Sequence, residues 1–187
     1  MAKIITVAQH KGGTGKTITC VNLGASLAEL GKSVLLVDLD PQASLSISVG
    51  VNPVDLKNSM HEVMGNQSFP IDQIIIESEL PNLSVAPSDI KLALVEMQLA
   101  SSIGREKVLH KKLVPIKDNY DYILLDSPPQ SGTSYRQCSC GCQRSSYSGS
   151  MSSTIALRCK TPAASDQHRP RRTECRSIYP WRAANHV

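Results

Sequence analysis

Lys11-Gly12-Gly13-Thr14-Gly15-Lys16-Thr17 decides how this 187-residue chain is read. It follows a short apolar, β-branched run, Ile4–Ala8, and precedes a stretch whose apolar residues recur at helical spacing. Its glycines reach backbone conformations closed to other residues, so several N–H groups can point at one anion. The helix that starts at Lys16 adds the positive end of its dipole. Lys16 is placed to reach β- and γ-phosphates, and the Thr17 hydroxyl to hold Mg²⁺. The competing reading, a glycine-rich turn without a ligand, does not account for seven matching residues between strand and helix. The common pattern is Gly-x-x-x-x-Gly-Lys-Ser/Thr. Here His10 stands at its first glycine and a second lysine, Lys11, leads the loop.

Outward from the loop, strands and helices alternate. Ile18, Val21, Leu23, Ala25, Leu27, Ala28 and Leu30 suit a helix packed on a sheet, and Gly31 ends it. Ser33–Leu39 is an apolar run closed by Asp40-Pro41, as expected of a buried parallel strand. Leu83–Ala86 and Tyr120–Leu125 are further strands, and Ile90 to Leu99 and Glu106 to Ile116 have helical period. This alternation predicts an α/β fold with a mostly parallel sheet flanked by helices, binding ligands at the carboxyl ends of its strands. Asp40 and Asp126 end two of those strands. An acid there can hold Mg²⁺ or orient an attacking water. Asp38 is open to a structural or a functional role. Cys20, mid-helix among apolar residues, reads as core.

Composition narrows the class. Hydrophobic residues make up 41% and charged residues 19%, which fits a folded globular chain. No apolar run reaches the roughly 20 residues of a membrane helix, and the N-terminus lacks a signal peptide's pattern. No membrane role and a cytoplasmic location are the expectations. The formal net charge of +4 hides an asymmetry. Residues 1–129 hold 11 Lys and Arg against 14 Asp and Glu, a net of −3; residues 130–187 hold 9 against 2, a net of +7. Five of the six cysteines also lie beyond Pro129, so a boundary is expected there.

With these residues in place, the chain resembles the ParA/Soj family of partition ATPases, the deviant Walker A group of P-loop NTPases. The resemblance rests on Lys11–Thr17, Val37-Asp38-Leu39-Asp40-Pro41-Gln42, and the run from Tyr120 to Asp126-Ser127-Pro128-Pro129, and covers residues 2–129. It implies an ATP- and Mg²⁺-binding site made by Lys11, Gly12, Gly13, Thr14, Gly15, Lys16, Thr17 and Ile18. It makes Lys11 the signature lysine that reaches a partner copy's nucleotide. Lys11, Lys16 and Asp40 become the catalytic set; Thr17, Asp40 and Asp126, the Walker B acid, become the metal set. An ATP-dependent homodimer, nonspecific DNA, a ParB-like protein and a nucleoid-associated location follow by the same resemblance. The MinD branch lacks this Asp-Pro-Gln signature and carries a membrane helix not found here. The nitrogenase iron protein needs cluster cysteines that are also missing.

Residues 130–187 do not continue the pattern. Family members run to roughly 250 residues, with Ser-Leu-Gly-Leu-Leu-Thr-x-Asn-Ala-Leu after the Pro-Pro. This chain reads Gln130-Ser131-Gly132-Thr133-Ser134-Tyr135-Arg136-Gln137-Cys138 instead. Joining the last two bases of each codon to the first of the next restores the family sequence. With suitable synonymous codons, 130–142 becomes Ser-Leu-Gly-Leu-Leu-Thr-Val-Asn-Ala-Leu-Val-Ala-Ala. Ser145–Met151 becomes Val-Val-Ile-Pro-Val-Gln-Cys in the same frame. Residues 152–174 do not convert cleanly. Two chemical readings compete: Cys138-x-Cys140-x-Cys142 as a metal site, and Arg169, Arg171, Arg172 and Arg176 as a nucleic-acid patch. The cysteines are spaced more tightly than zinc ligands, with no matching second pair. The expectation is therefore a ParA-like domain over 1–129, cut after the Walker B strand, and an out-of-frame, disordered tail. The function expected is an ATPase of chromosome or plasmid partitioning; the alternative is a non-catalytic fragment that at most binds nucleotide or a partner subunit. Loss of the later strands predicts poor solubility and weak or absent turnover in this chain.

Overall fold

The computed structural model describes residues 2–8, 13–100, 107–128 and 156–159. Strands β1 (Lys3–Ala8), β2 (Val34–Asp38), β4 (Leu83–Ala86) and β5 (Tyr122–Asp126) run parallel in the order β4-β2-β5-β1. β3 (Ile76–Glu77) pairs antiparallel on the β4 edge, and β6 (Ala156–Cys159) antiparallel on β1. Helix α1 (Lys16–Glu29) follows the glycine loop; α2 (Ser44–Ser48) and α3 (Met60–Gly65) lie between β2 and β3; α4 (Leu92–Ala100) and α5 (Val108–Leu113) lie between β4 and β5. The expected parallel α/β sheet is the one observed.

Alternation along the central strands divides the core into two layers. Leu35, Val37, Ile123 and Leu125 face one way, toward Met60, Val63, Leu92 and Leu109 of α3, α4 and α5. Val34, Leu36 and Leu124 face the other way, toward Cys20 and Ala28 of α1 and Leu45 of α2. All five residues of β2 are buried, which explains its unbroken apolar run.

Helix α1 differs from its sequence reading in the face that it buries. Ile18 and Leu30 are 66% and 75% exposed. The buried stripe is Lys16, Cys20, Gly24 and Ala28, four residues apart. Small side chains win this face because they let the helix lie close on the sheet. A Cβ built on Gly24 would stand 2.7 Å from Leu36 Cδ2. Cys20 is fully buried, and burial pushes its thiol pKa well up, in line with a core role. Gly31, at φ 74°, ends the helix as expected.

Shorter elements carry weaker sequence signals and were not anticipated: α2, α3, β3 and the strand β6. Helix α3 is fixed by a capping box, in which Ser59 N donates to Glu62 Oε2 at 2.9 Å and the Ser59 hydroxyl accepts from the first turn. Its far end is tied to α5 by Lys112 Nζ, which donates to the carbonyls of Asn66, Gln67 and Phe69 at 2.6–2.8 Å. Within the tail, for which disorder is expected, Ala156–Cys159 pairs antiparallel with β1. The physical reason lies in β1, whose outer row of N–H and C=O groups takes up an extended segment that offers matching groups. The remainder of 130–187 lies outside the described residues.

Gly24→Val places branched carbons where Leu36, Leu83 and Leu124 already pack. Chemical denaturation is expected to show a loss of about 1–3 kcal/mol, the cost of overpacking a closed core, which outweighs the better helix propensity of valine over glycine.

Candidate functional site

The carboxyl ends of β1, β2 and β5 bring Lys16, Thr17, Asp38, Asp40 and Asp126 near one another. β5 lies between the other two, and its register sets Asp126 opposite Val7 of β1 and Asp38 of β2. Gly13 and Gly15 both take positive φ, 70° and 78°, as the loop reading required. Gly15 is the N-cap of α1, and its carbonyl accepts from Thr19 N at 2.8 Å. Lys16 opens the helix and is buried. Thr14 lies in the turn between the two glycines; Lys11, Gly12 and His10 lie outside the described residues. Ile18, counted with the loop, points outward.

Thr17 and Asp126 meet directly: the Thr17 hydroxyl donates to Asp126 Oδ2 at 2.7 Å. Asp126 is only 1% exposed, and its Oδ1 has no hydrogen-bond partner. Ser127, next in the chain, anchors this end of β5 by donating its hydroxyl to Val7 O at 3.0 Å. Burial pushes the Asp126 carboxyl up to about 7; the Thr17 hydrogen bond and Lys16 oppose this, and Asp38 and Asp40 reinforce it.

Asp38 and Asp40 divide their labour. The Asp38 side chain is fully buried and fully used. Its Oδ1 accepts from Asp40 N at 3.0 Å, and its Oδ2 accepts from Ser46 N at 2.9 Å and the Ser46 hydroxyl at 2.7 Å. Burial still raises it to about 6. Asp38 thus has a structural role. Asp40 lies just beyond β2, half-buried, with its Oδ1 accepting from Gln42 N at 2.9 Å. The loop then passes through Ala43, which takes a left-handed φ of 52° while buried.

Glu96 was not singled out from the sequence. It is the one acid in the apolar α4 segment Leu92–Leu99, and that isolation is the signal that could have marked it. Its carboxyl is raised to about 7, first by burial and then by the charge of Asp40, and its Oε1 is buried without a partner. The site therefore gathers carboxylates raised by burial and by one another, with Lys16 opposing the shift at Asp126. An unpartnered Asp126 oxygen beside the Thr17 hydroxyl suits a hard divalent cation. Among the described residues, no helix is long and apolar enough to cross a membrane.

A glycine loop between β1 and α1, with an acid at the tip of β5 bonded to the first helical threonine, defines a P-loop nucleotide-binding domain. Comparison with known proteins narrows the class. A family model described as an AAA domain matches residues 2–138. The chain is 44% identical over 132 residues to the sporulation initiation inhibitor protein Soj of Bacillus subtilis, covering 71% of this chain and 52% of Soj. It is 36% identical over 129 residues to the chromosome partitioning protein ParA of Caulobacter vibrioides, covering 68% of this chain and 48% of ParA. The fold superposes on a crystal structure of cobyrinic acid a,c-diamide synthase from Mycobacterium smegmatis with bound ADP and magnesium. There the TM-score is 0.71 with 35% identity over 74% of this chain and 56% of that one. The chain belongs to the ParA/Soj family of P-loop ATPases. It spans about half the length of these curated relatives.

Carboxyls raised in the folded state bind their protons more tightly there than in the unfolded chain. Their contribution to stability is complete below the unfolded carboxylate range and is lost as pH rises through about 6 for Asp38 and about 7 for Asp126 and Glu96. Metal-free protein is expected to melt at a lower temperature near about pH 8 than near about pH 5.5, and Asp126→Asn to flatten that slope. Thermal melts across this range check it.

Proposed function

We propose that residues 2–128 form the nucleotide-binding part of a Mg²⁺-dependent partition ATPase. The observation that carries this reading is the Thr17–Asp126 contact at the mouth of the glycine loop, with one Asp126 oxygen left unpartnered. The M. smegmatis neighbour supports it, since that protein was crystallised with ADP and magnesium. Thr17, Asp40 and Asp126 would hold Mg²⁺, which when bound neutralises charge on the β- and γ-phosphate oxygens. Lys11 to Ile18 would form the phosphate cradle, with Lys16 countering the phosphates' charge. Asp40 orients the water for in-line attack on the γ-phosphate. Lys11 of a second copy adds a positive charge that matters most in the transition state.

In the intact protein, ATP draws two copies into a dimer. That dimer binds DNA nonspecifically and hydrolyses ATP slowly until a ParB-like partner speeds it. The names Soj and chromosome partitioning protein ParA support this assignment. A cytoplasmic, nucleoid-associated location goes with it. A second reading is a non-catalytic fragment that at most binds nucleotide or a partner subunit. Lys16→Ala is expected to weaken ATP·Mg²⁺ binding about 100-fold or more, while Asp40→Ala keeps binding and loses turnover. Equilibrium binding and phosphate release measure the two. Turnover that DNA and a ParB-like protein fail to raise leaves the second reading standing.

We further infer that residues 130–187 are translated from a shifted frame. Supporting this, the family match stops at residue 138 and the curated alignments span 129–132 residues. Resequencing the coding DNA from codon 120 onward is expected to find one added or lost base near codon 130. Its correction should yield a product of about 250 residues, the length implied by 132 aligned residues at 52% of Soj. An unaltered frame returns the tail to the cysteine and arginine readings.

A further inference from the structure

We propose that Ser46 is a positioning residue: it sets Asp40 through Asp38 and ties that setting to the loop at the head of α4. The inference rests on the reading of Asp40 as the residue that orients the attacking water. Three segments that are distant in sequence meet on one hydroxyl. Ser46 Oγ donates to Asp38 Oδ2 at 2.7 Å and accepts from Ser88 N at 3.1 Å, both contacts buried. Asp38 Oδ1 in turn accepts from Asp40 N at 3.0 Å. The chain of bonds thus runs from Ser88, through Ser46 and Asp38, to the backbone of Asp40.

Each link depends on the others. A carboxylate at zero exposure is costly unless its oxygens are satisfied, and Ser46 supplies two of the three donors that Asp38 receives. Without the hydroxyl, Asp38 keeps fewer donors and Ser88 N loses its acceptor. The Asp40 loop is otherwise held by backbone bonds, Leu39 N to Asp126 O at 3.0 Å and Ala43 N to Asp40 O at 2.9 Å, and Asp38 is the side chain that fixes the Asp40 amide itself. Asp40 bonds to its own neighbour Gln42, and the loop bends through the strained Ala43 before α2 begins. At the far end the same device reaches α3 and α4. Pro87 O accepts from Met60 N at 2.9 Å, and Asp89 Oδ2 stands 3.0 Å from His61 Nδ1. Glu96, on α4, lies within electrostatic reach of Asp40. A shift of α4 is therefore felt at Asp40 along two routes, one by hydrogen bonds and one by charge.

Amide hydrogen exchange on the full chain tests the relay without nucleotide, so its failure is distinguishable from failure of the ATPase reading. Ser46→Ala is expected to raise exchange about ten-fold or more at both Ser88 and Asp40, with β2 and β5 amides still protected. Ser46→Thr, which keeps a hydroxyl, should restore protection at Asp40. Should the alanine variant lose protection everywhere, Ser46→Cys, similar in size with a weak donor, is read instead: Asp40 must loosen more than β2. Where turnover is measured, Ser46→Ala should lower kcat about ten-fold with ATP affinity within about two-fold, the split expected of misplacement rather than lost binding. Unchanged protection at Asp40 when the Ser46 hydroxyl is gone overturns the proposal, as does an equal loss of affinity and kcat.

Discussion

Register in the parallel sheet is the constraint from which the site follows. β5 is inserted between β1 and β2, and Asp126 is held level with Val7 on one side and Asp38 on the other. Because side chains alternate along a strand, a slip of one residue would turn Asp126 to the opposite face and bury Leu125 in its place. Two packed layers prevent that slip, since Leu124 is committed to the α1 side and Ile123 and Leu125 to the α3–α5 side. The acids at the strand tips thus inherit their positions from apolar residues below them.

Those positions are electrostatically expensive. Asp38, Asp40 and Asp126 stand close enough to influence one another, and burial strips water from two of them. The protein answers differently at each. Asp38 is satisfied internally, by two backbone amides and a hydroxyl. Asp126 receives one hydroxyl and keeps one oxygen free. Of these two, the second arrangement is the one open to an external cation, which is how paired acids on neighbouring strands come to differ in kind.

Much of this was legible in the chain itself. The glycine loop, the four parallel strands and the acids at their tips all announce themselves through local patterns: glycine spacing, unbroken apolar runs, and an aspartate at the end of a run. What escaped the sequence depends on distance in three dimensions. Helix α1 buries Gly24 beside Cys20 and Ala28 and leaves Ile18 and Leu30 exposed, because closeness to the sheet at Gly24 leaves no room for a larger side chain. Ser46 has no local mark, since its meaning arises from Asp38 eight residues before it and Ser88 forty-two after. β3, two residues long, offers no period to read. β6 is defined by what β1 lacks, not by its own pattern.

The small-residue stripe of α1 has a thermodynamic consequence. Glycine and alanine have no rotamers to freeze, and cysteine has few, so at Cys20, Gly24 and Ala28 the helix is seated on the sheet at little cost in side-chain entropy. The turn at its N-terminus, carrying Gly15 and Lys16, leads directly into this closely seated helix. Whatever anion settles there meets a partner already ordered, and little configurational freedom remains for binding to remove.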